Sequence, residues 1–330
     1  MLQTKDIAIV ILNWNGKALL EQFLPSIIQY SENALIYIAD NASDDNSVLF
    51  VTEHYPSIKI IQNSENGGYA KGYNDALKHI EAPLLCLLNS DIEVTKNWLQ
   101  PILTEFNTEQ NTAIIQPKIL DYKNKTKFEY AGAAGGFIDK YGYPYCRGRI
   151  FDSIEEDCGQ YNDKADIFWA SGACFFIRNS VFKDLDGFDE SYFAHMEEID
   201  LCWRAFNKSY NVSYIGTSTV FHVGGATLNN TNPKKTYLNF RNSLFTLFKN
   251  VHSNLLLKIL IRMLLDGIAA LRFLLQFKLA FFLAILKAHY SFYYNLPRLL
   301  KHRKKSVKRR GYYHTTSIVW SYFVKKQTKY

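Results

Sequence analysis

The chain has 330 residues, 48% hydrophobic and 15% aromatic, enough for one large core with an appendage or for two modest cores. That hydrophobicity excludes global disorder, whose compositional signature is the opposite. The formal charge of +7 conceals an asymmetry: residues 241–330 hold 18 Lys and Arg against a single acid, Asp266, while residues 1–240 hold 20 against 30 Asp and Glu. An acidic body therefore carries a basic tail. The opening MLQTKDIAIVIL has no basic stretch, long apolar region or small-residue cleavage site, so we read no signal peptide and expect a cytoplasmic protein. Five widely spaced cysteines without a C-x-x-C pair suit reduced thiols better than a disulfide framework or a zinc site.

Residues 6–12 (DIAIVIL) predict a buried strand, followed by the polar turn NWNG and a helical pattern at Leu19, Leu20, Phe23, Leu24 and Ile27. A second strand, LIYIAD, ends at Asp40, and helix 47–54 and strand 58–62 follow. The glycine-containing NSENGGYAKGYN (63–74) opens the next helix, and a fourth strand at 84–88 ends in NSD. This alternation predicts an α/β fold with a mostly parallel sheet and helices on both faces. Ligands of such sheets bind at the carboxyl ends of the strands, where each of these polar clusters falls. Residues 110–225 are less regular, with short strands between glycine-rich and aromatic turns. From about 236 the chain is helical, apolar and basic.

Five clusters carry candidate chemistry, each with a purely structural counterpart. The carboxylate of Asp40 in DNASD (40–44) can accept the N–H of a base, yet Asn, Ser and Asp there also suit a helix N-cap. In Asn66–Asn74 the glycines let backbone N–H groups approach a phosphate, or simply make a tight turn. The triplet Asn89-Ser90-Asp91 ends a buried strand and can present a carboxylate to Mg²⁺ or Mn²⁺ against a diphosphate, or form a turn. Glu197, Glu198 and Asp200 can supply a general base, or form an acidic first helical turn in which Asp200 pairs with Arg204. His222, in FHVGG, is a candidate ligand or a satisfied structural histidine.

In this order and on these elements, the clusters resemble those of the family 2 glycosyltransferases, inverting enzymes of GT-A fold, and especially the bacterial rhamnosyltransferase-like branch. The matching segments are IVILNWNG (9–16), DNASDD (40–45), ENGGYAKGYN (65–74), LLNSD (87–91), FWASGACFFIR (168–178), GFDESYFAHMEEIDLCWR (187–204) and FHVGGAT (221–227). The resemblance implies a UDP- or dTDP-sugar donor held by Asn13, Asp40, Asn66, Gly67, Lys71, Asn74, Asn89 and Ser90. It implies a divalent metal, Mg²⁺ or Mn²⁺, on Asp91 and His222, with Asn89 standing where the family's metal motif has its first Asp. Glu197-Glu198 matches the family's Glu-Asp pair, whose second member is the usual base. Glu198 is then the expected base, with Glu197 the alternative. Trp169, Ser171 and Gly172 would shape the pocket between donor and acceptor. The acceptor implied is a glycan or lipid-linked hydroxyl in cell-envelope polysaccharide synthesis. A non-catalytic sugar-nucleotide-binding relative and a nucleotidyltransferase of related fold are the rival expectations.

These expectations divide the chain into a catalytic domain at 1–240 and a basic helical region at 241–330. Within residues 255–290 the longest run without a charged residue is 279–286, far short of the ~18–20 residues a membrane-spanning helix needs. At 100° per residue, Lys258, Arg262, Asp266, Arg272, Gln276 and Lys287 fall within one arc of about 120°, leaving a wide apolar face. With KHRKKSVKRR (301–310), this suits an anionic membrane surface, the chain lying peripherally on the inner face of the cell membrane. The alternative is a helical layer packed on the catalytic domain or on a second protomer. Nucleic-acid binding is not expected, because the basic residues accompany an apolar helix and not a nucleic-acid module.

Overall fold

A computed structural model describes residues 1–224, 232–305 and 307–330. Residues 225–227 of the His222 motif and Ser306 of the basic run lie outside the described residues. Strands β1 (Ile7–Asn13), β2 (Leu35–Asp40), β3 (Lys59–Gln62) and β4 (Leu84–Asn89) are parallel and lie side by side as β3-β2-β1-β4. They alternate with α1 (Lys17–Tyr30), α2 (Ser47–His54) and α3 (Gly68–Leu77), as the sequence pattern predicts. A short β5 (Ile92–Val94), α4 (Leu99–Thr108) and the long β6 (Thr112–Asp121) follow. Next comes a small antiparallel sheet of β7 (Gly136–Ile138), β8 (Pro144–Cys146), β9 (Arg149–Ile150) and β10 (Ser153–Ile154).

The main sheet is then completed by β11 (Lys164–Asp166), β12 (Cys174–Arg178) and β13 (Asn211–His222). Beyond β4 it continues through β12, β6, β13 and β11, and β12 runs antiparallel to both its neighbours. The sheet is thus parallel at one end and mixed at the other. Residues 110–225 are more regular than their sequence suggests, because β6 and β13 pair over most of their length. Pro117 and Lys118 interrupt the apolar pattern of β6, and a register shift between Ile215 and Thr219 breaks the period of β13.

Alternation along the central strands feeds two cores. Ile7, Ile9 and Ile11 of β1 and Leu84, Cys86 and Leu88 of β4 face α1 and α4 residues such as Leu20, Leu24, Ile102 and Phe106. Ala8, Val10, Leu85 and Leu87 point to the other side, against α3 and α6 (Glu197–Asn207), which follows the short α5 (Asn179–Asp184). The period of two is what allows one apolar strand to be buried on both faces.

The C-terminal region joins this second core. Helix α7 (Pro233–Asn250) packs on α6, and α9 (Leu279–Tyr294) packs along α7. Leu244, Phe245, Leu247 and Phe248 of α7, Phe292 of α9 and Leu299 of α10 (Leu296–Lys305) are buried in the same cluster as the α3 and α6 residues. Helix α7 runs through the change of composition at 240/241, and Lys249 near its end is buried between Asp189 (2.7 Å) and Asp200 (3.0 Å).

Helix α8 (Leu255–Leu275) turns part of its polar arc inward. Arg262 pairs with Asp266 at 2.9 Å, lies 3.7 Å over the Tyr143 ring and donates to the Gly142 carbonyl. Asp266 also accepts from Tyr143 Oη at 2.6 Å and faces His289 Nε2 at 3.5 Å. Removing one member of a buried ion pair leaves an uncompensated charge, at a cost of about 3–5 kcal/mol. Asp266→Ala should therefore lower the unfolding free energy by roughly that amount in urea titrations, with the slope unchanged.

Candidate active site

The carboxyl ends of β1 and β2 are fastened together by Asn13. Its Nδ2 lies within hydrogen-bond distance of Asp40 Oδ1 (3.0 Å), Ser47 Oγ (2.9 Å) and Ser43 Oγ (3.2 Å). Asp40 also accepts from Ser43 N at 3.0 Å, so both of its buried oxygens are engaged. Asn41, next in chain, donates to the Gly68 carbonyl and accepts from Asn63, tying the same edge to α3. At the start of α3, Asn66 Oδ1 accepts from Gly68 N, while Lys71 pairs with Asp75 and, at 3.5 Å, with Glu65. Gly67 is the N-cap, and Gly68 has φ of 76° with the Phe193 carbonyl 2.4 Å from where a Cβ would sit. Glycine is required there because α3 and the Phe193 loop approach that closely.

Asn89, Ser90 and Asp91 form the turn between β4 and β5. Pairing of β5 with the end of β13 sets His222 opposite Ile92, which brings His222 beside Asp91. His222 Nε2 is 3.1 Å from Asp91 Oδ1, and His222 Nδ1 is 3.4 Å from Glu129 Oε1. All three side chains are buried. Burial alone would raise the Asp91 carboxyl, but the His222 imidazole and the backbone N–H groups of Asp91 and Gly224 outweigh it and hold the group low. Burial disfavours the His222 imidazolium, yet the carboxylates on either side push it up to about 10.

With the His222 proton released on binding, this donor set suits a divalent cation shared with a diphosphate. Mg²⁺ is commonly held by one or two protein carboxylates plus substrate phosphates, and Mn²⁺ also accepts imidazole. Among the described residues no group of three His, Cys, Asp or Glu side chains is arranged to hold a metal ion, so Asp91 and His222 would need the diphosphate to complete a shell. Glu129, on the far ring nitrogen, is placed to orient the imidazole. Nothing in KFEYAGAA (127–134) marks Glu129 in the sequence; only the fold brings it there.

Glu197 and Glu198 open α6 after a loop in which Phe193, His195 and Met196 have φ of 64°, 69° and 74°. The loop is held from α7: Asn242 Nδ2 lies 3.1, 3.0 and 2.7 Å from the carbonyls of Tyr192, Ala194 and His195, and Arg241 donates to those of Ser191 and Tyr192. Asn74 clamps it from α3, accepting from Phe188 N and donating to Phe188 O, both at 2.9 Å. Asp200, the third acid of the motif, is bonded to Arg204, Lys249 and Asn250 and belongs to the core. Glu197 Oε2, Glu198 Oε2 and His195 Nε2 are buried without a partner. Burial, together with the charge of Glu198, holds the Glu197 carboxyl well above the ordinary range, and burial pushes Glu198 up to about 7.

Tyr69 connects the pair to the metal-side residues. Its hydroxyl donates to the Gly172 carbonyl at 2.8 Å, and its phenol is raised by burial and by the charges of Tyr73, Glu197 and Glu198. The Ser171-Gly172-Ala173 turn continues to Asn89, whose N–H donates to Ala173 O at 2.9 Å. Ser171 N donates to Gln116, and Trp169 is buried with its indole N–H on the Phe137 carbonyl at 2.8 Å. Trp169 therefore supports the turn from behind. A chain of contacts thus runs from the loop before Glu197 and Glu198 through Tyr69, Gly172 and the Ser171–Ala173 turn to Asn89, next to the Asp91–His222 pair, with Asn13 and Asp40 at the neighbouring strand ends.

The raised carboxyls have a consequence for stability. A group whose folded value lies above its unfolded value of about 4.3 favours folding at low pH, and that contribution is lost as pH rises through the folded value. Glu198→Gln should accordingly raise the melting temperature relative to the parent. The gain should be small near pH 4.5, grow up to about pH 7 and level off above it, as read by differential scanning fluorimetry across pH.

A sequence profile described as Glycosyl transferase family 2 matches residues 8–186, more than half of the chain. The low-salt glycan biosynthesis hexosyltransferase Agl10 of Haloferax volcanii is 25% identical over 224 residues, 66% of this chain and 67% of that protein. An N-acetylglucosaminyl-diphospho-decaprenol L-rhamnosyltransferase of Mycobacterium tuberculosis is 22% identical over 238 residues, 66% of this chain and 76% of the relative. Among solved structures, GalNAc-T7 with UDP, GalNAc and Mn²⁺ superimposes with a TM-score of 0.57 at 14% identity, over 74% of this chain and 48% of that one, a likeness of fold. The chain belongs to glycosyl transferase family 2, and its sheet with flanking helices is the GT-A fold of a glycosyltransferase.

Proposed function

We propose that the chain transfers a hexose, rhamnose among the candidates, from a UDP- or dTDP-sugar to a hydroxyl of a glycan or lipid-linked acceptor, with inversion at the anomeric carbon. The work belongs to cell-envelope polysaccharide synthesis, carried out from the cytoplasmic side by a protein peripheral to the membrane. The observation that carries this is the Glu197–Glu198 pair: two buried oxygens without partners, on a strained loop joined through Tyr69 and Gly172 to the Asp91–His222 turn. The mycobacterial relative's name supports a lipid-linked acceptor and rhamnose, and Agl10 supports a hexose and a glycan. The UDP and Mn²⁺ of GalNAc-T7 support a uracil donor and a divalent metal.

Glu198 acts as the base. Like charges in a buried pair cannot both ionise easily, and Glu198, half-buried where Glu197 is buried, is the member whose ionised form is the less disfavoured by burial. Its carboxylate takes the proton of the acceptor hydroxyl while the hydroxyl oxygen forms a bond to the anomeric carbon. The bond from that carbon to the diphosphate oxygen breaks on the opposite face, and the nucleoside diphosphate leaves. Glu197, still protonated, stays beside it and does not repel the incoming oxygen. Asp91 and His222 would hold Mg²⁺ or Mn²⁺ against the diphosphate, where such a cation stabilises the charge of the leaving group. Glu129 fixes the His222 ring.

General-base assistance is typically worth about 10²–10⁴ in rate. Glu198→Gln should lower kcat by about that factor in donor-turnover assays while calorimetric donor affinity stays nearly unchanged. In the parent, kcat/KM should fall about tenfold per pH unit below about pH 7, and Glu197→Gln should leave the larger residual rate. Survival of full turnover in Glu198→Gln would remove it as the base. Loss of an outer partner of a metal-bound histidine costs about 10–100-fold in metal affinity. Glu129→Gln should weaken Mn²⁺ binding by that factor, titrated calorimetrically in the presence of UDP.

A further inference from the structure

We infer that the α8–α9 hairpin inserts its outer face into the acyl layer of an anionic membrane. This rests on the proposed membrane location and names the part of the chain that makes the contact. Helices α8 and α9 pack against one another, and α9 lies along α7. The inner side of α8 holds Lys258, Arg262 and Asp266, all buried; Lys258 lies 4.9 Å from the Tyr312 ring centroid, and the other two pair with each other beside Tyr143 and His289. The outer side carries Leu256, Leu260, Leu264, Ile268, Leu271 and Leu275, recurring every three or four residues in one stripe. Leu283, Leu286 and Tyr290 of α9 extend it, and Phe277 stands at the tip, 96% exposed. A water-facing helix has the reverse arrangement. Part of the sequence-derived polar arc thus faces the protein, and the apolar face is left outside.

An exposed apolar surface of this extent marks a contact site. Charge decides the occupant. The only acid of residues 241–330, Asp266, is buried, so the charges around the stripe are cationic: Arg272, Lys278 and Lys287 are exposed on the hairpin, and Lys325 and Lys326 follow α11 (Ile318–Phe323). Arg272 lies over the ring of Phe323, which joins α11 to this face. A symmetric contact with a second copy would set this cationic rim against itself, whereas anionic headgroups complement it while acyl chains take the leucines. Tyr290, Tyr293, Tyr294 and Trp320 are exposed and supply the amphipathic rings that favour the headgroup level. Among the described residues no helix is long and apolar enough to cross a membrane, in keeping with insertion to partial depth.

Flotation of the full chain with vesicles of phosphatidylcholine and phosphatidylglycerol tests this. The protein should float with them at about 0.15 M salt and remain largely bound at about 0.5 M, where screened charge alone would release it. The double variant Leu275→Glu/Phe277→Glu replaces exposed side chains, should keep the parental melting temperature, and should lose vesicle binding roughly tenfold or more. No flotation of the parent, equal flotation of the variant, or complete release at high salt would overturn the insertion. So would a parent dimer in sedimentation velocity that the variant dissolves without any vesicle binding. Transfer to a water-soluble acceptor is measured on the same samples. Its absence with flotation intact tells against the proposed reaction and leaves the insertion standing.

Discussion

The structure turns on the loop from Ser191 to Met196, which has to present two carboxylates from the first turn of α6. Its backbone is unfavourable: three non-glycine residues, Phe193, His195 and Met196, sit at positive φ. Such conformations cost on the order of 1–3 kcal/mol each and persist only where the surroundings over-determine them. Here the surroundings are Asn242 and Arg241, which collect the loop's carbonyls, Tyr69 of α3, whose N–H donates to Phe193 O, and Asn74, which bonds Phe188 just before the loop. Any change that loosens α7 therefore reaches the carboxylates without touching them.

That constraint explains why the C-terminal helices share a core with the sheet. Helix α7 is fixed to α6 by Lys249 and Asn250, which close on Asp200 and, through Lys249, on Asp189. Asp200 is also bonded to Arg204, and Arg204 donates to the carbonyls of Leu185 and Gly187. Buried ion pairs contribute little net stability, but they permit few alternative arrangements. They hold α7 in one register against α6, and Asn242 depends on that register. Helices α8 and α9 then cover α7, with Lys258, Arg262 and Asp266 of α8 turned to the inner side.

Legibility in the sequence follows the range of the interactions. Strands β1 to β4, their helices and the polar strand ends are visible because an apolar run bounded by turn residues is a local signal. The partnership of Asp200 with Arg204 is visible for the same reason, being one helical turn long. The Asp91–His222–Glu129 cluster is not, because it depends on β5 pairing with β13 and on β6 returning Glu129 to the same edge. Asn242 reads as an ordinary polar residue in a helix until the loop it holds is seen. The arc of charges on α8 is equally legible, but periodicity gives an arc without a direction. Tyr143, Tyr312 and His289 decide which way it faces, and they come from other segments.

Unmet polar atoms are scattered through the described residues, Asn13 Oδ1, Arg149 Nε and Asp266 Oδ2 among them, but the Glu197–Glu198 loop gathers three of them beside strained backbone. At the strand ends, Asp40 has its oxygens bonded, and Asn41 and Asn74 are each bonded at both ends of their amides. Asp200, as buried as any, is surrounded by donors. Glu197 Oε2, Glu198 Oε2 and His195 Nε2 are buried atoms without partners, though Glu198 and His195 are half-buried as residues, and all three adjoin the strained backbone. A buried polar atom without a partner costs about 1–3 kcal/mol, so three of them in four residues oppose folding. Under the proposed reaction an incoming hydroxyl would partner Glu198, whose carboxyl burial pushes up to about 7, near the pH at which a base is most effective.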